Sequence, residues 1–171
     1  MVELVPANLV PVRPAVEADL DLLVELFWTV AAEGRWVGAE IPFDRAVQRE
    51  RLARAVADEM STVMVAVPAA AGGPVGYIWV KIASYGAAEI AMLLVDGWRG
   101  QGLGRALLQA AISWASSAGA HKMILEVWPH NTAAIELYRR AGFVQEGRRL
   151  QHYRRRNGEL WDSILMGRPL P

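Results

Sequence analysis

The sequence predicts a mixed α/β fold, a central mixed sheet with helices on both faces. Three observations carry this. Segments of strand and helix periodicity alternate in the order β-α-α-β-β-β-α-β-α-β-β, about seven strands and four helices. Turn residues separate them at Gly72-Gly73, Gly86, Gly119, Gly142 and Asn157-Gly158. A stretch holding four glycines in eight residues, Gly97 to Gly104, sits where a strand-like run meets a helix-like run.

The elements follow in order. Leu9 to Arg13 reads as a short strand ended by Pro14. Glu17 to Ala32 carries Leu20, Leu23, Val24, Phe27, Trp28 and Ala31 at helical spacing, and Gly34 ends it. Gly34 to Gly38 is a loop. Asp44 caps a second helix that runs to Met60 through Val47, Leu52 and Val56. Thr62–Val67 and Val75–Ile82 form a hairpin of apolar strands. After the turn at Tyr85-Gly86-Ala87, Glu89–Val95 is the fourth strand and leads into the glycines. Leu103 to Ala118 is a helix with Leu103, Leu107, Ala110, Ala111 and Trp114 on one face. Lys122–Trp128 is a strand. Pro129-His130-Asn131-Thr132 starts a helix that ends at Gly142. Phe143–Arg149 and Glu159–Met166 are the last two strands, joined through Asn157-Gly158. With no linker and no internal repeat, residues 1–171 are expected to form one domain.

Composition narrows the function classes. The chain has 171 residues, 53% hydrophobic and 21% charged, enough for a real core. Formal net charge is zero, which argues against a nucleic-acid partner. There is no cysteine, so a disulfide scaffold, a thiolate metal site and a cysteine nucleophile are excluded. The composition fits a reducing, cytoplasmic setting. The N-terminus lacks the basic start and unbroken apolar core of a signal peptide. Met60 to Val80 is uncharged and long enough to span a bilayer, but Pro68, Gly72, Gly73 and Pro74 break it. Two strands and a loop account for it better, and no membrane association is expected. His121, His130 and His152 lack metal-ligand spacing, so no metal is expected.

The glycine stretch suits an anion. At a strand-to-helix junction it presents bare backbone N–H groups and the positive end of a helix. A nucleotide-hydrolysing loop needs Lys and Ser or Thr after its last glycine, and here Leu103-Gly104 stands there. A dinucleotide loop needs a third glycine where Arg105 stands. What remains is Arg99-x-x-Gly102-x-Gly104, with Arg99 or Arg105 as added positive charge.

Two segments resemble the GCN5-related N-acetyltransferase superfamily. Arg99-Gly100-Gln101-Gly102-Leu103-Gly104 is similar to its acyl-CoA motif. Asn131-Thr132-Ala133-Ala134-Ile135-Glu136-Leu137-Tyr138-Arg139-Arg140-Ala141-Gly142-Phe143 is similar to a second family segment. The tail, Phe143-x-x-Glu146-Gly147 through Asn157-Gly158-Glu159 to Asp162 and Met166, resembles the branch that acylates amino acids and small amines.

The resemblance implies an acyl-CoA N-acyltransferase fold whose mostly antiparallel sheet splays in the middle. It implies transfer of an acetyl group from acetyl-CoA to a small primary amine, by direct attack in a ternary complex. Gly100, Gln101, Gly102, Leu103, Gly104 and Arg105, with Arg99, would hold the pyrophosphate. The pantetheine arm would pair with the fourth strand, with backbone N–H groups of Leu93, Leu94 and Val95 polarising the thioester. Asn131 would contact the pantetheine or fix its loop. Tyr138 would be the general acid for the departing thiolate, its ordinary pKa of about 10 lying near that of a thiol. Glu89, through water, is the candidate base, with Glu126 behind it.

Trp28, Trp36 and Phe43 surround the loop that covers the acceptor site in the family. The arginines Arg148, Arg149, Arg154, Arg155 and Arg156 are expected on a solvated hairpin face, or holding a substrate carboxylate or the CoA 3′-phosphate. Apolar strands at the C-terminal edge suit a homodimer. Rival readings are a protein or peptide N-terminal acetyltransferase and a non-catalytic acyl-CoA-binding module.

Overall fold

A computed structural model describes residues 12–171. Seven strands, β1 (Val12–Pro14), β2 (Ser61–Ala66), β3 (Gly76–Ile82), β4 (Ala87–Leu94), β5 (Lys122–Val127), β6 (Val144–Arg154) and β7 (Leu160–Pro169), form one sheet. Four helices accompany them: α1 (Leu20–Ala32), α2 (Arg45–Ala57), α3 (Leu103–Ser117) and α4 (Thr132–Arg140). The sheet order is β1-β2-β3-β4-β5-β7-β6. Every neighbouring pair is antiparallel except β4 and β5. The expected first strand lies partly outside the described residues, and its described part extends one residue further, to Pro14.

Two apolar layers flank the sheet. On one face Leu103, Leu107, Leu108, Ala111 and Tyr138, from α3 and α4, pack against Ala88, Ile90, Met123 and Leu125. On the other, Leu20, Leu23, Val24, Leu26 and Val30 of α1 and Leu52 of α2 pack against Val63, Val65, Tyr77 and Leu93. The period-two alternation of β3 and β4 supplies both layers. Among the described residues no helix is long and apolar enough to cross a membrane. The uncharged run at 60–80 is β2, a loop and β3.

Several boundaries differ from expectation for local reasons. The first helix begins with a separate turn, Glu17–Asp19, because the Asp19 carboxylate is drawn back to the Val16 N–H at 2.8 Å and to Arg13. Phe27 packs against the edge of the core and on Phe43, while Trp28 packs on Phe43 outside it. The second helix stops at Ala57, because Asp58 leaves the helix and accepts from the Met60 N–H at 2.9 Å. Ala87 belongs to β4 rather than to the turn, so Glu89 is the third residue of its strand. In the β6–β7 hairpin β6 runs on past Arg149 to Arg154, and β7 begins at Leu160 rather than Glu159 and runs on to Pro169. Bonds from Arg148 and the Gln151 N–H to Asp162 carry it through an irregular stretch between Arg149 and Tyr153.

Candidate active site

The site begins with a broken ladder. β4 and β5 pair only at Ala87↔Lys122, Ala88↔Met123 and Glu89↔Ile124. Beyond Glu89 the strands part: β4 stays with β3 up to Leu94, and β5 stays with β7 up to Val127. The result is a V with its apex at Glu89. Its inner edge on β4 carries backbone groups with no strand to pair them.

Alternation decides which groups those are. The Val95 N–H donates to Val75 O at 3.0 Å, so Val95 faces β3. In an antiparallel ladder the outward side recurs every second residue, so Leu93 also faces β3, while Met92 and Leu94 face the V. Of the three N–H groups expected there, only that of Leu94 is turned to the opening. The Leu94 carbonyl is taken by Arg99 Nε at 2.9 Å. Met92 is the residue that the sequence reading missed. The register with β3 was the missing information.

The glycine stretch crosses the end of β4 into α3. Gly102 has φ +85°, a conformation costly for any other residue, and precedes the helix without a side-chain cap. The N–H groups of Leu103, Gly104 and Arg105 therefore open the helix with no acceptor of its own turn. A Cβ on Gly104 would lie 3.1 Å from Leu137 Cδ2 and 3.5 Å from Leu94 Cδ1, so α3 approaches α4 and β4 closely here. The Gln101 side chain closes the loop onto Gly97 O at 2.6 Å. Arg105 stands exposed in the first turn. This built cradle, fifteen residues of helix behind bare N–H groups, fits a pyrophosphate.

Arg99 does something else. Its guanidinium lies on Glu33 at 2.8 and 2.5 Å, and its Nε on Leu94 O. It shapes the loop from behind rather than lending a free charge to the cradle. The Arg99 guanidinium also holds the Glu33 carboxyl below the usual carboxylate range. Glu33 was not singled out from sequence. One signal was available: a carboxylate at the negative end of a helix, where the dipole disfavours it, needs a cation from elsewhere.

Tyr138 and Glu89 lie on opposite faces of the V. Tyr138 is buried in the α3/α4 layer, in the same cluster as Ile90 from one arm and Leu125 and Val127 from the other. Its hydroxyl finds no partner among the described residues. No fully enclosed side-chain polar atom goes unpaired among the described residues, so the hydroxyl keeps contact with solvent. Burial pushes this phenol up to about 12. Glu89 alternates with Ala88 and Ile90, so its carboxylate belongs to the α1/α2 face, where it accepts from the Tyr85 hydroxyl at 2.7 Å. Asn131 caps α4 by accepting from the Ala134 N–H at 3.3 Å, which fixes the loop after β5.

Of the hairpin arginines, Arg148, Arg149, Arg154 and Arg156 are exposed, as expected of a solvated face, and only Arg155 is buried. Arg149 reaches Glu126 at 3.2 Å, and Tyr153 (2.8 Å) and buried Ser163 also donate to that carboxylate. Burial first, and Glu126 second, raise the Tyr153 hydroxyl above its ordinary range. Arg155, only 5% exposed, lies over the Trp161 ring and donates to Gly38 O at 2.9 Å. Arg156 donates to Ile41 O and Pro42 O at 2.7 and 2.8 Å. The hairpin thus grips the strap between α1 and α2. Trp128, Tyr153, Trp161 and His130 form an edge-to-face aromatic wall beside it. Glu126, weighed as a second base, is the acceptor at the centre of this network.

Comparison with known proteins agrees with this geometry. Residues 23–143 match the family described as "Acetyltransferase (GNAT) family". The chain belongs to that family. It is 33% identical over 141 residues to an L-methionine sulfoximine/L-methionine sulfone acetyltransferase of Pseudomonas paraeruginosa, covering 80% of this chain and 81% of that one. Among solved structures, a phosphinothricin acetyltransferase of Sinorhizobium meliloti in complex with AcCoA superposes with a TM-score of 0.84 and 25% identity, over 94% of this chain and 88% of that one. A ribosomal-protein-alanine N-acetyltransferase of Brucella melitensis superposes with a TM-score of 0.82 and 27% identity, over 94% and 99% of the two chains. The protein is accordingly an acetyl-CoA-dependent N-acetyltransferase of mixed α/β fold.

Proposed function

We propose that this acetyltransferase acylates the primary amine of a small amino acid or amino-acid analogue. The placement of Tyr138 and Glu89 on opposite faces of one gap carries the reading. A proton donor on one side and an acceptor on the other suit a transfer in which an amine loses a proton as a thiolate departs. When bound, acetyl-CoA supplies the thioester. The residues that fit it are the cradle from Gly100 to Arg105 and the open edge at Met92 and Leu94.

On this reading Tyr138 keeps its proton at every physiological pH and hydrogen-bonds the developing thiolate. Burial raises the phenol and would raise a thiol enclosed beside it, so the Tyr138 hydroxyl is protonated and suited to donate to the sulfur as it leaves. Glu89 receives the amine's proton, directly or through water. Leu94 N–H points into the gap and suits the carbonyl oxygen.

The grip of Arg155 and Arg156 on the strap supports a small acceptor, because it ties the strap to the hairpin rather than leaving it free to move aside for a peptide. The Pseudomonas relative, named for methionine sulfoximine and methionine sulfone, supports an amino-acid analogue. Acetyl-CoA-driven thiol release, measured over α-amino acids, their sulfoximine, sulfone and phosphinic analogues, polyamines and short peptides, tests this. Release with an amino-acid analogue and none with peptides is expected. Release with peptides alone would move the protein to the N-terminal acetyltransferase class. CoA binding with no turnover on any amine would make it a binding module.

The same reading places the protein in the cytoplasm, where acetyl-CoA is formed. Exposed Val144 and Leu150 on the edge strand β6 support a homodimer, which analytical ultracentrifugation reads directly.

A further inference from the structure

The strap between α1 and α2 has an unusual means of support. Residues 35–43 make no backbone–backbone hydrogen bond among the described residues. Side chains from elsewhere hold it instead. Arg155 and Arg156 hold its far half through Gly38, Ile41 and Pro42 carbonyls. His130 Nε2 meets Arg35 O at 2.8 Å. The near half is fixed by Trp36, whose Nε1 donates to Glu33 at 2.6 Å.

Trp36 also bridges the open end of the V. The Arg99 guanidinium lies 5.4 Å from its ring on the β4 side, and the His130 ring 6.1 Å away on the β5 side. Glu33 therefore joins two things at once. It takes Arg99, which shapes the cradle and caps Leu94 O, and it takes Trp36, which seats the strap. Arg99 and Glu33 are partly buried, so water competes weakly for these bonds.

We propose that Glu33 is a positioning residue that couples the cofactor cradle to the acceptor-side strap through Arg99 and Trp36. The inference rests on the reading of residues 99–105 as the acetyl-CoA cradle. Filling the cradle steadies the loop that carries Arg99. Arg99 then holds Glu33 in one place, and Glu33 holds Trp36 across the mouth of the V. The coupling is reciprocal: an acceptor that seats the strap strengthens CoA binding by the same factor.

Amide hydrogen exchange of the full-length protein, with and without CoA, tests both levels separately. In the wild type, CoA is expected to slow exchange at 99–106 and, by about tenfold, at 34–43. In Glu33→Ala and in Trp36→Phe, slowing at 99–106 is expected to persist while slowing at 34–43 is lost. Trp36→Phe removes the Nε1 donor and keeps a smaller aromatic ring, so it serves if Glu33→Ala folds poorly. Slowing at 99–106 with an unchanged strap in the wild type overturns the coupling alone. Full slowing of the strap in both variants does the same. No slowing at either segment in the wild type overturns the cradle reading and the coupling together.

Discussion

Leu94 and Val95 are neighbours in sequence and face opposite ways. That difference decides which backbone groups line the gap, and no side-chain pattern announces it, because both residues are apolar. Tyr138 is the contrary case. Its motif singled it out, and the structure adds that burial makes it a weaker acid than its free counterpart. Between pH 6 and pH 9 the turnover rate is therefore expected to show no limb from Tyr138, since its phenol titrates only around 12. A pH profile of kcat checks this by comparing wild type with Tyr138→Phe.

Asp19 is a purely structural residue with its own pH signature. It is buried and paired to Arg13 at 2.7 and 2.8 Å, and the Arg13 guanidinium holds its carboxyl below the usual range. A depressed carboxylate contributes stability above its unfolded pKa, near 4, and loses it as pH falls through its folded value. Asp19→Asn is expected to lower stability by about 2 kcal/mol at pH 7, less than a fully buried pair because Arg13 is half exposed. The difference should shrink below pH 4. Urea unfolding at pH 7 and pH 3 measures both.

Among the elements, the helix that follows the cradle was the most legible. Its glycines, apolar face and C-terminal Gly119 are local signals, and the helix occurs at Leu103–Ser117. In the β6–β7 hairpin the strands away from the turn were legible, but the turn-side stretch from Leu150 to Arg154 was not, because bonds between distant residues order it, Gln151 to Asp162 and Tyr153 to Glu126. The parallel contact of β4 with β5, only three residue pairs long, is set by tertiary packing and leaves no trace in periodicity. Gly104 tests the cradle as an element. Gly104→Ala puts a Cβ 3.1 Å from the tip of the Leu137 side chain on α4, which must give by a few tenths of an ångström beside the cradle. The expected outcome is a KM for acetyl-CoA raised about tenfold with kcat within about twofold, and a lowered melting temperature.

At the scale of the molecule, one sheet divides the chemistry. The α3/α4 face carries the cradle and Tyr138. The α1/α2 face carries Glu89, the strap and the Glu126 network. The two meet only where β4 leaves β5. If acetyl-CoA binds the folded chain and not the unfolded one, as proposed for the cradle, a hundredfold excess over its dissociation constant is expected to add about 2.7 kcal/mol of stability. A thermal melt with and without CoA reads it.

The account stands most directly on a steady-state measurement of thiol release with one amino-acid analogue as acceptor, comparing wild type, Tyr138→Phe and Glu89→Gln. The expectation is a kcat about 100-fold lower for Tyr138→Phe with little change in the KM of either substrate. For Glu89→Gln, kcat is expected to fall by a similar factor, about 100-fold, and to be partly restored as pH rises and the amine deprotonates unaided. Turnover unchanged in both variants would contradict the central claim that proton donor and acceptor face each other through this gap.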